Sequence, residues 1–121
     1  MTTNIVQNPF PIERVLAQIN PSGTSAVTAY TKPTNKIVTV NTIVVCNTSG
    51  SAINFSLYLC TNGTTYNTTT ALAYQQPIAA NETQVVYIPF TLDTTSGTVG
   101  VQSSSANAIN FTILGNVKEH N

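Results

Sequence analysis

Residues 36–60 read KIVTVNTIVVCNTSGSAINFSLYLC, and their pattern decides the fold class. In the second half, Ile53, Phe55, Leu57 and Leu59 alternate with Asn54, Ser56 and Tyr58. That period of two puts the apolar set on one face of a half-buried strand. The first half starts with the same alternation, Lys36-Ile37-Val38-Thr39-Val40, and ends in the apolar run Ile43-Val44-Val45-Cys46. Such a run is expected of a central strand covered on both faces. The change of pattern at Asn41 and Thr42 predicts a bulge. Between the halves, Thr48 to Ser51 is turn chemistry, so the stretch reads as a hairpin with Asn47 facing Ala52 and Cys46 facing Ile53.

Outward from this stretch the same signals recur. Thr24 to Thr31, Thr83 to Phe90, Thr98 to Gln102 and Ala108 to Leu114 read as strands, the last two as a closing hairpin with Ile109, Phe111 and Ile113 inward. Pro89 must sit at a sheet edge or a strand end, because it has no N–H to donate. TIVVCNTSGSAINF (Thr42 to Phe55) and TVGVQSSSANAINF (Thr98 to Phe111) agree at seven of fourteen positions at an offset of 56. The repeat reads as two hairpins that converge on similar turn and core residues.

Short strands divided by frequent turn signals predict an all-β chain. The expected architecture is a single antiparallel β-sandwich, jelly-roll or Ig-like, with seven to eight strands over 24–117. A C-terminal tail, 118–121, follows it, and an extended N-terminal arm, 1–23, precedes it. In the arm, Asn8-Pro9-Phe10-Pro11 and Asn20-Pro21-Ser22-Gly23 bracket Ile12 to Ile19, which reads as extended rather than helical. An arm of this kind cannot bury enough surface alone, which makes Pro9, Phe10, Pro11, Ile12, Val15 and Leu16 candidate assembly contacts.

Composition narrows the function. Four Lys+Arg and four Asp+Glu are the only charges among 121 residues, whereas 44 residues are Thr, Asn or Ser. Zero net charge leaves no basic face for phosphate neutralisation, so no nucleic-acid partner is expected. No apolar run is long enough to span a bilayer, and the start MTTNIVQNPFPIER lacks the pattern of a secretory leader, so assembly in a cytoplasm is expected. Six Asn-x-Ser/Thr sequons, at Asn47, Asn54, Asn62, Asn67, Asn81 and Asn110, follow from the Asn and Thr content and are discounted on the same ground.

Catalytic machinery is thin. The single histidine, His120, is penultimate, and Glu13, Glu82, Asp93 and Glu119 are scattered over arm, loops and tail. A nucleophile would lack a positioned base, and a glycosidase would lack facing carboxylates. The glycines occur singly, without a phosphate-binding pattern. No enzyme activity, cofactor or metal is therefore expected. In the expected hairpin Cys60 lies seven residues beyond Ile53, about 23 Å from Cys46 at ~3.3 Å per residue. Free thiols are expected.

Thr61 to Thr70 (TNGTTYNTTT) is the longest polar loop and supplies the candidate exposed contacts Asn62, Tyr66 and Asn67. No charged residue falls between Lys36 and Glu82, nor between Asp93 and Lys118. The strands therefore lack the lysines that commonly protect exposed edges. Such a chain is expected to associate, as a homo-oligomer or within a larger assembly.

The order of RVLAQ (Arg14 to Gln18), TAYTKP (Thr28 to Pro33), TVNTIVVCNTSGSAINFSLYL (Thr39 to Leu59), AYQQPIAANET (Ala73 to Thr83) and TVGVQSSSANAINFTILG (Thr98 to Gly115) resembles a diffuse family of small virion-associated β-sandwich proteins of tailed bacteriophages. The resemblance spans nearly the whole chain. Its most specific parts are the Asn-Thr-Ser turn, the Pro-Ile-x-Ala-Asn-Glu-Thr approach and the closing Ser-x-x-Ala-hydrophobic-x-Phe segment, all fold residues. The low charge and the Thr61 to Thr70 loop depart from the family. The resemblance implies a structural virion component on capsid, neck, tail or baseplate. Capsid decoration or cementing is the specific expectation, with the arm and the uncharged edges docked on the major capsid protein. The alternatives are a tail, neck or baseplate component and, from another class, a carbohydrate-binding receptor module using Tyr58, Tyr66 or Tyr74 as stacking platforms.

Overall fold

A computed structural model describes residues 13–119. Nine strands follow in order: β1 (Arg14–Ile19), β2 (Val27–Thr31), β3 (Lys36–Asn47), β4 (Ile53–Cys60), β5 (Ala71–Ile78), β6 (Thr83–Val86), β7 (Phe90–Leu92), β8 (Thr98–Ser103) and β9 (Ile109–Glu119). Among the described residues there is no helix. The nine strands pair antiparallel, in a sheet ordered β1-β9-β3-β6, with β7 also on β3, and a sheet ordered β2-β8-β4-β5. We call these sheet A and sheet B.

The β-sandwich is as expected, and its order selects between the two forms. With β6 and β7 taken as one interrupted strand, each sheet interleaves early and late strands, 1-8-3-6 and 2-7-4-5. This is the jelly roll. An Ig-like order would pair the first strand with the second, whereas β1 pairs with β9.

The strand count exceeds the expected seven to eight for two reasons. Thr83 to Phe90 is not one strand: Pro89 lies in the break between β6 and β7, consistent with its missing donor. β5 is the second, an added strand whose alternation is masked by Tyr74-Gln75-Gln76-Pro77, all four exposed. The segment 1–23 includes an edge strand, β1, so Ile12 to Ile19 is extended where described. At the other end β9 runs to Glu119, with Lys118 opposite Ile37.

Both expected hairpins are instead arches between the sheets. Asn47 pairs with Ile109 and not with Ala52, and β4 lies in sheet B while β3 lies in sheet A. β8 and β9 are likewise in different sheets. A hairpin and an arch share the same strand, polar turn, strand pattern, and the difference lies in the turn's hydrogen bonds. The buried Asn47 amide donates to Ser51 O at 2.8 Å and Ala79 O at 3.0 Å, and its Oδ1 accepts from Ser49 N and Oγ at 2.9 and 2.7 Å. This wraps the chain around the side chain and out of sheet A. Ser103, its counterpart in the repeat, is also buried and bonds Ser105 N and O.

The two repeat copies therefore form interlocked arches. β3 pairs with β9 in sheet A and β4 with β8 in sheet B, so an approximate two-fold exchanges the sheets. The repeat-equivalent Phe55 and Phe111 meet edge to face across the core, 6.4 Å apart and at 67°, a geometry worth about 0.5–1.5 kcal/mol beyond area burial. Around them pack Val38, Val40, Ile43, Val45, Leu57, Val99, Val101, Ile109 and Ile113. Ile109, Phe111 and Ile113 point inward as expected.

The predicted bulge is present: the β3–β9 register shifts between Val40 and Thr42. Gly115 stands opposite Val40, and a Cβ there would lie 2.0 Å from Thr39 O. Only glycine allows this approach.

Candidate functional site

The outward side of sheet A carries exposed apolar side chains. Because Ile43, Val45 and Val86 face the core, Thr42, Val44, Cys46 and Val85 face out. The apolar end of β3 is thus not covered on both faces: Val44 and Cys46 are only half-buried. Pairing across the sheet places Val15 beside Leu114, Leu114 beside Thr42, and Val44 beside Val85, with Tyr87 following β6. Val15, Val85 and Tyr87 are 55, 65 and 71% exposed. No member of this stripe is charged, and the sequence signal that marks it is the apolar run itself.

The edges lack lysines, as the sequence indicates, yet shape blunts them. β1 bulges between Val15 and Ala17, β2 between Thr28 and Tyr30, and β5 shifts register twice and carries Pro77. β6 is four residues long. Bulges, prolines and short strands all oppose edge pairing. Extension of either sheet by strand pairing along these edges is therefore hindered.

Sheet B differs. The loop after β4 folds back over its outward side and lays Tyr66 on Gly100, where a Cβ would lie 2.6 Å from the ring. Tyr66 packs on Tyr58 at a centroid distance of 5.7 Å. Its hydroxyl lies 2.7 Å from Thr28 Oγ1 and donates to Thr98 Oγ1 at 2.9 Å, while Thr98 Oγ1 donates to Gly63 O at 2.6 Å. Tyr66 is accordingly a half-buried strut rather than an exposed contact. Tyr58 is buried beneath it, with its hydroxyl bonded to Gln102 Oε1 at 2.5 Å. Two of the three expected stacking platforms are spent in packing, and Tyr74 stays exposed.

The other candidate residues divide as follows. Asn62 and Asn67 are exposed, and Asn67 holds its own turn through Oδ1, which accepts from Thr69 N at 2.9 Å. Val15 faces out, whereas Leu16 packs against the core rim. Pro9, Phe10, Pro11 and Ile12 lie outside the described residues, as does His120. Cys46 and Cys60 are free thiols held in different sheets. Of the sequons, Asn47 is fully buried and closed to modification in the folded state.

Two charged or titratable groups were not legible beforehand. Lys32 is buried, and its ammonium donates to Pro33 O at 2.9 Å and Lys36 O at 2.8 Å, clamping the turn before β3. Burial of Tyr30 on β2 pushes its hydroxyl above the ordinary tyrosine pKa, an effect opposed by the Arg14 guanidinium of β1.

No protein-family model matches the chain, and no curated protein matches it. Among solved structures it is similar to the structure of infectious bursal disease virus, Gx strain, at 12% identity and a TM-score of 0.49, over 96% of this chain and 35% of that one. The chain thus spans well under half of that chain's length. The likeness is one of outline and assigns no role to any residue here.

Proposed function

We propose that the chain is a non-enzymatic structural subunit of a virion, and specifically a capsid decoration protein of a tailed bacteriophage that binds the assembled shell. The observation that carries this reading is the face of sheet A: an exposed, uncharged, apolar stripe from Val15 to Tyr87 on a domain whose edges are blunted. An open apolar patch on so small a domain marks a surface that another molecule covers. The jelly roll supports the reading by analogy alone, since shell proteins and lectins both use it. The partner is the major capsid protein, or a second copy of this chain seated beside it. Binding the assembled shell and not free subunits raises particle stability by mass action.

The test is cryo-electron microscopy of intact particles made with the native chain and with Val85→Asp/Tyr87→Asp. Regular lattice positions on the shell, emptied by the double variant, are the expected result. A ring of copies at the neck, tail or baseplate would replace decoration with a tail role. Absence from the particle would end the virion reading.

A further inference from the structure

Four described non-glycine residues have a left-handed backbone: Asn35, Asn81 and Asn107 in turns, and Gln75 inside β5, with φ of 51°. Asparagine accepts this conformation through its short polar side chain, whereas glutamine has no such compensation. A glycine would sit at 75 without strain. Strained residues kept where a relaxed alternative exists concentrate at functional sites.

Gln75 also stands where the sheet opens. Phe55 pairs with Gln76 and Leu57 with Ala73, so Tyr74 and Gln75 together oppose Ser56 alone. Gln75 N donates to Ser56 Oγ at 2.8 Å, outside the regular ladder. The bulge forms one wall of a cleft of about 210 Å³ on the outward side of sheet B, lined by Asn54, Phe55, Ser56, Tyr74, Gln75, Gln102 and Ser104. The Tyr58 hydroxyl and Thr24 O hold Gln102 in place, at 2.5 and 3.0 Å. Among the described residues, the side-chain amides of Asn54 and Gln75 and the Tyr74 hydroxyl have no hydrogen-bond partner.

The lining specifies a ligand class. No charged side chain borders the cleft, so neither anion nor cation is recognised. Each amide offers both donors and an acceptor, which suits adjacent hydroxyl groups that do the same. An apolar ligand would strip water from these amides without replacing its bonds. Tyr74, 44% exposed, presents a ring beside the amides, a surface for the C–H side of a sugar. The volume lies below the ~300 Å³ at which drug-sized pockets begin, which suits one ring.

We propose that this cleft binds a single residue of a neutral saccharide, with Tyr74 as the platform and the Gln75 and Asn54 amides bonding adjacent hydroxyls. The site stands apart from sheet A, so it holds or fails independently of the virion reading.

The test is a nuclear magnetic resonance titration of the full chain, following backbone amides. Probes are neutral oligosaccharides of glucose, mannose, galactose and N-acetylglucosamine, the corresponding free sugars, and oligogalacturonate as an acidic control. At least one neutral probe is expected to give saturable shifts confined to residues 54–56, 74–76 and 102–104, with a Kd of about 1 mM. Preference for oligosaccharide over free sugar identifies a polymeric source, and equal binding a free one. Tyr74→Ala is expected to weaken binding at least tenfold, while Tyr87→Ala on sheet A leaves it unchanged. Gln75→Gly is expected to raise the thermal midpoint yet weaken binding, a pairing that a purely structural glutamine would not produce. No saturable shift with any neutral probe overturns the proposal. So do shifts centred on other residues, equal binding of the acidic control, or full affinity in both cleft variants.

Discussion

On sheet B, a returning loop lays Tyr66 over Gly100 and buries Tyr58 beneath it; on sheet A, Val15, Val85 and Tyr87 stay exposed across a face of similar composition. Both faces are poor in charge, with Lys118 at one end of sheet A, and are built largely from β-branched, aromatic and small polar residues. A segment that comes back with an aromatic side chain turns one face into a second, small packing layer. The other face keeps its apolar stripe. The contrast separates two outcomes for strands poor in charge: internal closure on sheet B, and exposed apolar side chains on sheet A.

Two glycines offer the sharpest way to break that contrast. Gly115 in sheet A faces backbone, with Thr39 O 2.0 Å from the position of a Cβ, and backbone there cannot yield. Gly115→Ala is expected to cost about 4 kcal/mol or more in denaturant unfolding. At Gly100 in sheet B the nearest atoms belong to the Tyr66 ring, a side chain that can swing away, so Gly100→Ala should cost about 1–3 kcal/mol. In a Tyr66→Ala background the Gly100 cost should nearly vanish, a coupling that a double-mutant cycle reads directly. Equal costs for the two glycines would mean that the roof on sheet B is as rigid as the frame.

The arches come next. Asn47→Asp replaces an amide that donates to the Ser51, Ile78 and Ala79 carbonyls with a buried carboxylate that repels them, and about 3–5 kcal/mol should be lost at neutral pH. The buried acid's pKa would lie above the unfolded value of about 3.9. The penalty is then fully present above the folded pKa and fades as pH falls toward the unfolded one, so acidification should narrow the gap to the native protein. Ser103→Ala, at the second arch, should cost only about 1 kcal/mol. Unfolding curves at two pH values check both.

A smaller effect belongs to the margin where β1 meets β2. Tyr30 has a raised pKa through burial, so the folded state keeps the phenolic proton longer than the unfolded state. Its contribution is fully present below about pH 10 and is lost as pH rises through the folded pKa. Tyr30→Phe should flatten the alkaline loss. Arg14→Gln should steepen it, because the guanidinium favours the phenolate.

The smallest change in stability is expected on the open stripe. Val85→Asp and Tyr87→Asp alter exposed side chains and should shift unfolding by no more than about 0.5 kcal/mol. Sedimentation or particle binding should respond far more. A large stability loss would mean that the stripe belongs to the fold rather than to a partner.

Much of this architecture is legible in residues 36–60 and 98–114. The alternation in Ile53, Phe55 and Leu57 marks the inward face, and the irregularity at Asn41 and Thr42 marks the bulge. β5 was hidden because Tyr74 to Pro77 serve a distortion rather than a core face. Tyr66 and Tyr58 look like free aromatics until the loop is closed over Gly100. The stripe on sheet A was partly visible as the apolar run Ile43 to Cys46, but a run alone does not say whether its second face is covered by the same chain. The cleft at Gln75 was not legible, because a left-handed glutamine has no signature in the order of residues.

Determined by the sequence alone are the local quantities: strand periodicity, the inward sets of β4 and β9, the polar turn around Thr48 to Ser51, and the scarcity of charge. A period of two is a property of neighbouring residues, and it survives whatever the strand pairs with. The tertiary structure alone decided that the repeat forms arches instead of hairpins, that β1 joins β9, that Tyr66 roofs one sheet, and that the other keeps an open apolar face. Those choices rest on contacts between residues far apart along the chain. Their energies depend on which surfaces meet, and not on the order of side chains within any one strand.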